Sequence, residues 1–140
     1  MQGGAPTARD LALDLIAGLQ ARDLKALHAL RVTRDEFERI LWPEFPESRP
    51  ITNISADDAW QNALTGSLSG ADRAVGSYGG RKLELLKVEP GAVVPYRNFT
   101  LHRGIAILAR DIASGDEFTM RFAPSFVERG GRFKVLLYRD

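Results

Sequence analysis

The spacing of apolar side chains changes once along the chain. Up to about residue 78 they recur at helical spacing; from about residue 83 to residue 138 they alternate with a period of two. Thr7 with Asp10 three positions later predicts a helix N-cap, and Leu11, Leu15, Ile16 and Leu19 form the stripe behind it. Asp23 caps a second, turn-rich helix carrying Leu24, Leu27 and Leu30. Thr33 and Glu36 have capping-box spacing, and so open a short helix that buries Phe37, Ile40 and Leu41. Pro43 ends it, because a residue before proline is pushed out of the α region. Three prolines in residues 42–50 predict an extended, stiff loop. Ser55 and Asp58 then open a last helix, with Trp60, Ala63, Leu64, Ser67, Leu68, Ala71, Val75 and Tyr78 on one stripe and Gly79-Gly80 as its stop. Gly66 and Gly70, one turn apart within it, predict a kink or the close approach of another backbone.

The second half predicts a four-stranded meander over residues 83–88, 93–109, 117–127 and 132–138. Pro90-Gly91 and Gly130-Gly131 supply turns, and Pro95 or Gly104 marks a bulge in the long second strand. Alternation places Phe99, Leu101, Ile105, Ile107, Phe118, Met120, Phe122, Phe133, Val135 and Leu137 on the face toward the helices. The opposite face collects Tyr96, Asn98, Thr100, His102, Glu117, Thr119, Arg121, Lys134, Leu136 and Tyr138. Helices followed by strands predict an α+β domain, with N-terminal helices packed in a curved antiparallel sheet of four or more strands. The alternating βαβ order of nucleotide-binding folds is excluded.

Composition narrows the partners. The 140 residues fit one domain, read here as 7–140 behind a flexible tail at 1–6. The tail is too short and polar for a signal peptide, and the compartment stays open, with the cytoplasm favoured. Net charge is +1 and the arginines are interleaved with acids, so no basic stripe exists to track nucleic acid. No run is apolar enough to span a bilayer. With no cysteine, disulfides, iron–sulfur clusters and cysteine-zinc sites are excluded. Two histidines far apart give no metal-ligand spacing, and no cofactor motif is present.

His102 is the best candidate for acid–base chemistry, because an imidazole ordinarily titrates near neutrality; Tyr96 and Glu117 share its predicted face as partners. His28, beside Leu24 and Leu27, reads as a partly buried histidine bonded to a backbone carbonyl. The aromatic set Trp42, Phe45, Trp60, Tyr78 and Phe99 is either core or the lining of an apolar pocket, with Trp42 and Phe45 placed to roof it.

The helix order, the long third helical stripe, the meander and the terminal Gly131-Arg132-Phe133-Lys134-Val135 resemble the nuclear-transport-factor-2-like superfamily over nearly the whole chain. Its cone is shared by ketosteroid isomerases, scytalone dehydratase and SnoaL-like cyclases. The resemblance implies a cystatin-like cone: one curved sheet wrapped around the helices, enclosing a pocket. It implies a homodimer through the outer sheet face, and binding of a small apolar or amphipathic molecule. The acid–base aspartate and oxyanion pair of the isomerases match no position here. Three readings follow: a ligand-binding domain, a cofactor-independent lyase or isomerase using His102, and a protein-interaction module.

Overall fold

The computed structural model describes residues 1–139. Four of the predicted caps form as the sequence specifies. The Thr7 hydroxyl accepts from the Asp10 amide to start α1 (Ala8–Gln20). The Asp23 carboxylate does the same for α2 (Leu24–Ala29). Thr33 and Glu36 close a reciprocal capping box on α3 (Arg34–Glu36). The Ser55 hydroxyl caps α4 (Ala56–Tyr78). After α3 the chain widens into a π-helical turn, Phe37–Leu41.

Residues 42–50 are not extended. Trp42–Glu44, Pro46–Ser48 and Pro50–Thr52 are three successive 3-10 turns, each with a proline in its first two positions. A proline there supplies the required φ and lacks an N–H that would go unpaired anyway. The Ser48 hydroxyl donates to the Phe45 carbonyl at 2.8 Å, pinning the middle turn.

The second half departs most from expectation. Among the described residues seven strands form two separate antiparallel sheets, where a single four-stranded meander was predicted. The smaller sheet has the order β1 (Leu83–Glu89), β4 (Ala106–Asp111), β5 (Glu117–Met120). The larger has the order β2 (Val93–Pro95), β3 (Thr100–Arg103), β6 (Ser125–Arg129), β7 (Arg132–Leu137). Neither sheet curls or closes, so the cone of the nuclear-transport-factor-2-like, ketosteroid-isomerase-like and SnoaL-like proteins is absent, and the resemblance fails at its defining feature. The cause lies in two breaks. Gly104 takes φ +68 between β3 and β4, a region closed to most side chains. Pro124 lies outside the ladder between β5 and β6, and its carbonyl accepts from Ile105 N–H at 3.0 Å. Both long strands therefore leave one sheet and enter the other at the same level. Gly91 stacks on this corner: a Cβ there would lie 1.8 Å from the Arg103 carbonyl oxygen.

The breaks also re-sort the side chains. Ile105, Ile107, Met120, Phe122, Phe126, Val135 and Tyr138 join Leu11, Leu15, Ile16 and Leu19 of α1 in one core. Phe99, Leu101, Val127 and Leu136 face the opposite way and join Phe37, Leu41 and Trp60 in a second core. The larger sheet is thus covered on both faces. The polar and aromatic outer face expected of residues 96–102 and 134–138 does not exist as one surface. Lys134, Leu136 and Tyr138 are buried, and the argument for a dimer through that face loses its footing. Residue 136 is the extra residue of a bulge, since Ser125 pairs with Leu137 and Phe126 with Val135. The free edge of β7 is closed by Ala5, bridged to Phe133, and by the segment around Arg31, bridged to Val135.

In α4 the buried face is Trp60, Ser67, Gly70, Ala71 and Ala74, and Leu68 of the predicted stripe is exposed. The helix meets the end of β7, where the Ser67 hydroxyl accepts from Tyr138 N–H at 3.1 Å. No helix among the described residues is long and apolar enough to cross a membrane.

Candidate functional site

His102 sits in the middle of β3, opposite Val93 of β2 and Phe126 of β6. Ladders on both sides fix its backbone. Its Nε2 lies 2.9 Å from Oε1 of Glu128, two pairs further along β6, opposite Thr100. The Phe133 ring packs beside it, with ring centroids 5.6 Å apart. A carboxylate can only accept, so Nε2 carries the proton and Nδ1 becomes the free acceptor of the neutral ring. Among the described residues nothing hydrogen-bonds Nδ1.

His102 borders a cleft of about 400 Å³ at the seam between the two sheets. Its apolar wall is Leu86, Val88 and Ile105, with Ala8 at the first turn of α1. Arg9 and Lys87 stand at its rim, both exposed. A register shift between Leu85 and Lys87 makes Leu86 a bulged residue of β1, turning this stretch toward the seam. The cleft offers apolar area, two cations and one imidazole oriented by a carboxylate. Such a set can hold an amphipathic molecule by its polar end and can move a proton at that end.

The other candidates lie elsewhere. Tyr96 stacks on Phe99 at 4.7 Å in the second core, across the larger sheet from His102. Glu117 is on β5 in the smaller sheet, exposed, with its carboxylate 3.3 Å from Arg110. Four of the five aromatics gather around Phe37: Trp42 at 6.0 Å, Phe45 at 6.5 Å and Trp60 at 5.6 Å, with Phe99 reached through Phe45 at 5.9 Å. Trp42 and Phe45 pack onto this cluster as half-buried side chains. Tyr78 belongs to the first core, parallel to Phe118 at 5.4 Å and near Phe122 at 6.4 Å. No described cleft is shared by these five side chains.

Glu128 and Arg9 escaped the sequence reading. Glu128 reaches His102 only through the β3–β6 register, which a sequence with a hidden sheet break does not reveal. Arg9 was one of many interleaved arginines, and only the docking of α1 on β1 brings it to the seam. No group of three or more histidines and carboxylates suited to a metal occurs among the described residues. No protein-family model, no curated protein and no solved structure matches this chain.

Proposed function

We propose that this protein binds a small amphipathic molecule in the seam cleft, its apolar body against Leu86, Val88 and Ile105 and its polar end at His102. The observation that supports this reading is His102, hydrogen-bonded to Glu128, on the wall of an apolar cleft of about 400 Å³. Arg9 and Lys87 favour an anionic end, such as a carboxylate.

The test is a titration with octanoate and octanol, followed by amide and histidine NMR resonances. Octanoate should perturb residues 86–88 and His102 saturably, and octanol more weakly. A carboxylate meets the free side of this ring only in its imidazolium form, where Nδ1–H donates to it while Nε2–H stays on Glu128; His102→Ala should then weaken octanoate by about tenfold, roughly the worth of one charge-assisted hydrogen bond. Val88→Trp, which fills the cleft, should abolish the effect. Shifts that never saturate, or that ignore both variants, would rule the cleft out as a binding site.

An isomerase or lyase is the second reading, favoured by the orientation of His102 by Glu128. It predicts exchange of deuterium at the carbon next to a ketone carbonyl, at a rate lost in His102→Ala. Binding without such exchange would leave the first reading alone.

A further inference from the structure

Arg31 is buried, only 5% exposed, yet no carboxylate pairs with it among the described residues. Its Nε and Nη2 both donate to the carbonyl of Leu136, at 3.3 and 3.2 Å. That carbonyl belongs to the bulged residue of β7, so the guanidinium repairs a gap in the ladder. The face of Trp60 lies beneath it, with the ring centroid 5.2 Å from Cζ. A carbonyl and a π-face soften the burial of a cation and do not neutralise it. Burial accordingly pulls the Arg31 guanidinium below its usual range. One edge of the fork is taken by Leu136; the Nη1–Nη2 edge makes no hydrogen bond among the described residues. That edge has the geometry to donate two parallel hydrogen bonds to a carboxylate.

Arg31 also borders a cleft of about 250 Å³ between the end of α2 and the first half of α4. Trp60 and Leu64 give it apolar walls. His28 stands on the same cleft, and its Nδ1 is a buried nitrogen with no hydrogen-bond partner, so the carbonyl bond expected of it is not made. Burial first, then Arg31, lowers the His28 pKa, while Asp72 acts in the opposite direction. Arg34 is at the cleft too, but Glu38 and Asp57 already hold it.

We propose that this second cleft is a binding site for a small carboxylic acid, anchored by the Arg31 guanidinium with its apolar part against Leu64. It shares no lining residue with the seam cleft. The bound carboxylate supplies the counter-charge that the fold withholds from Arg31. An aromatic acid the size of benzoate suits the volume.

The two histidines give each cleft its own reporter, His28 here and His102 at the seam. Sodium benzoate is titrated at constant ionic strength against sodium chloride, while the histidine ring resonances are followed across pH. An anion beside His28 favours the imidazolium, so the midpoint of His28 should move up and saturate with benzoate but not with chloride. Inorganic phosphate, a competing oxyanion of different shape, should bind more weakly. Arg31→Gln keeps donors for Leu136 and removes the charge, and should weaken benzoate by at least about tenfold. Leu64→Trp fills the cleft without touching the Arg31–Leu136 contact, and should abolish the His28 response in a folded protein. A His28 midpoint that does not move, moves equally with chloride, or moves unchanged in Leu64→Trp overturns the site. Movement of His102 alone would do the same, and would leave the seam reading standing.

Discussion

Lys134 Nζ lies 2.8 and 3.0 Å from the two carboxylate oxygens of Glu36, and both side chains are only 9% exposed. The pair ties β7 to the first turn after Thr33, because Glu36 Oε1 also accepts from Thr33 N–H at 2.8 Å. One carboxylate thus serves a helix cap and a buried ion pair, and it joins the helical half of the chain to its last strand. Removing one member leaves the other charge buried and unpaired. Lys134→Met should therefore destabilise the fold by about 3–5 kcal/mol in denaturant melts. A loss below about 1 kcal/mol would mean that water reaches Glu36.

The same pair sets an acid limit. Burial alone would raise the Glu36 pKa; hydrogen bonds from Lys134 and from Thr33, with the charge of Lys134, outweigh it, and the net shift is downward. A carboxylate with a depressed folded pKa contributes stability above its unfolded value and loses it as pH falls through the folded one. Stability should hold from neutrality down to the ordinary carboxylate range and then decline. Glu36→Gln should flatten that decline. An acid limb identical in the variant would show that Glu36 does not carry it.

Tyr138 sets the corresponding alkaline limit. It is 1% exposed, and its hydroxyl donates to the carbonyl of Leu27. Burial pushes the phenol pKa well up, with the charge of Arg31 acting the other way. The unfolded chain ionises this group first, so stability should fall as pH rises past about 10. In an ultraviolet titration, Tyr138 should stay silent until the protein unfolds. Tyr138→Phe should lower stability at neutral pH by about 1–3 kcal/mol, since it leaves the Leu27 carbonyl unpaired, and should flatten the alkaline fall. A tyrosine that ionises reversibly in the folded state with Tyr138→Phe removing that signal would contradict its burial.

The helical half was legible because its signals are local. Thr7, Asp23, Thr33 and Ser55 each act on an amide three positions away, so sequence and structure agree. The sheets were not legible, since their architecture turns on single residues with non-local effects. Gly104 looked like a bulge in one long strand, and it is the corner where β3 becomes β4. Once that corner is missed, Phe99 and Leu101 are assigned to the core of Ile105 and Ile107, when they belong to the opposite one. In β7 the reasons differ: the bulge at Leu136 turns Tyr138 into the first core, and Glu36 of α3 covers Lys134. Of the candidate site, His102 could be read as a residue type with a chemistry. Its partner Glu128, and the docking of Arg31 on the Leu136 carbonyl with no carboxylate partner among the described residues, depend on contacts across 26 and 105 positions of sequence.

Trp60 tests the second core. It is 8% exposed, packs on Phe37 at 5.6 Å and carries Arg31 on its face. Trp60→Ala should cost about 3–5 kcal/mol, as truncation of a large aromatic in a core does. Trp60→Phe should cost less, because it keeps a ring under the guanidinium. Equal losses for both would show that a phenyl ring recovers none of the packing and does not sit under the guanidinium.

Two of the three glycines of α4, Gly66 and Gly70, should respond to the same substitution with opposite signs. A Cβ on Gly66 would meet nothing within 4 Å, and one on Gly70 would lie 2.6 Å from the backbone nitrogen of Arg139 and 2.8 Å from its Cα. Gly66→Ala then gains only helix propensity, and should stabilise by about 0.5–1 kcal/mol. Gly70→Ala gains the same propensity but must move a backbone. Arg139 cannot simply retreat, because its N–H donates to the Phe122 carbonyl at 2.8 Å. That bond lies just beyond the Ser67–Tyr138 contact, so any shift strains both ties between α4 and the end of the last strand. The steric cost of overpacking, about 1–3 kcal/mol, exceeds the gain, and Gly70→Ala should be net destabilising. Urea melts with matched slopes would separate the two variants. A stabilised Gly70→Ala would mean that residues after β7 do not lie against α4, and the close approach that fixes the glycine would have to be abandoned.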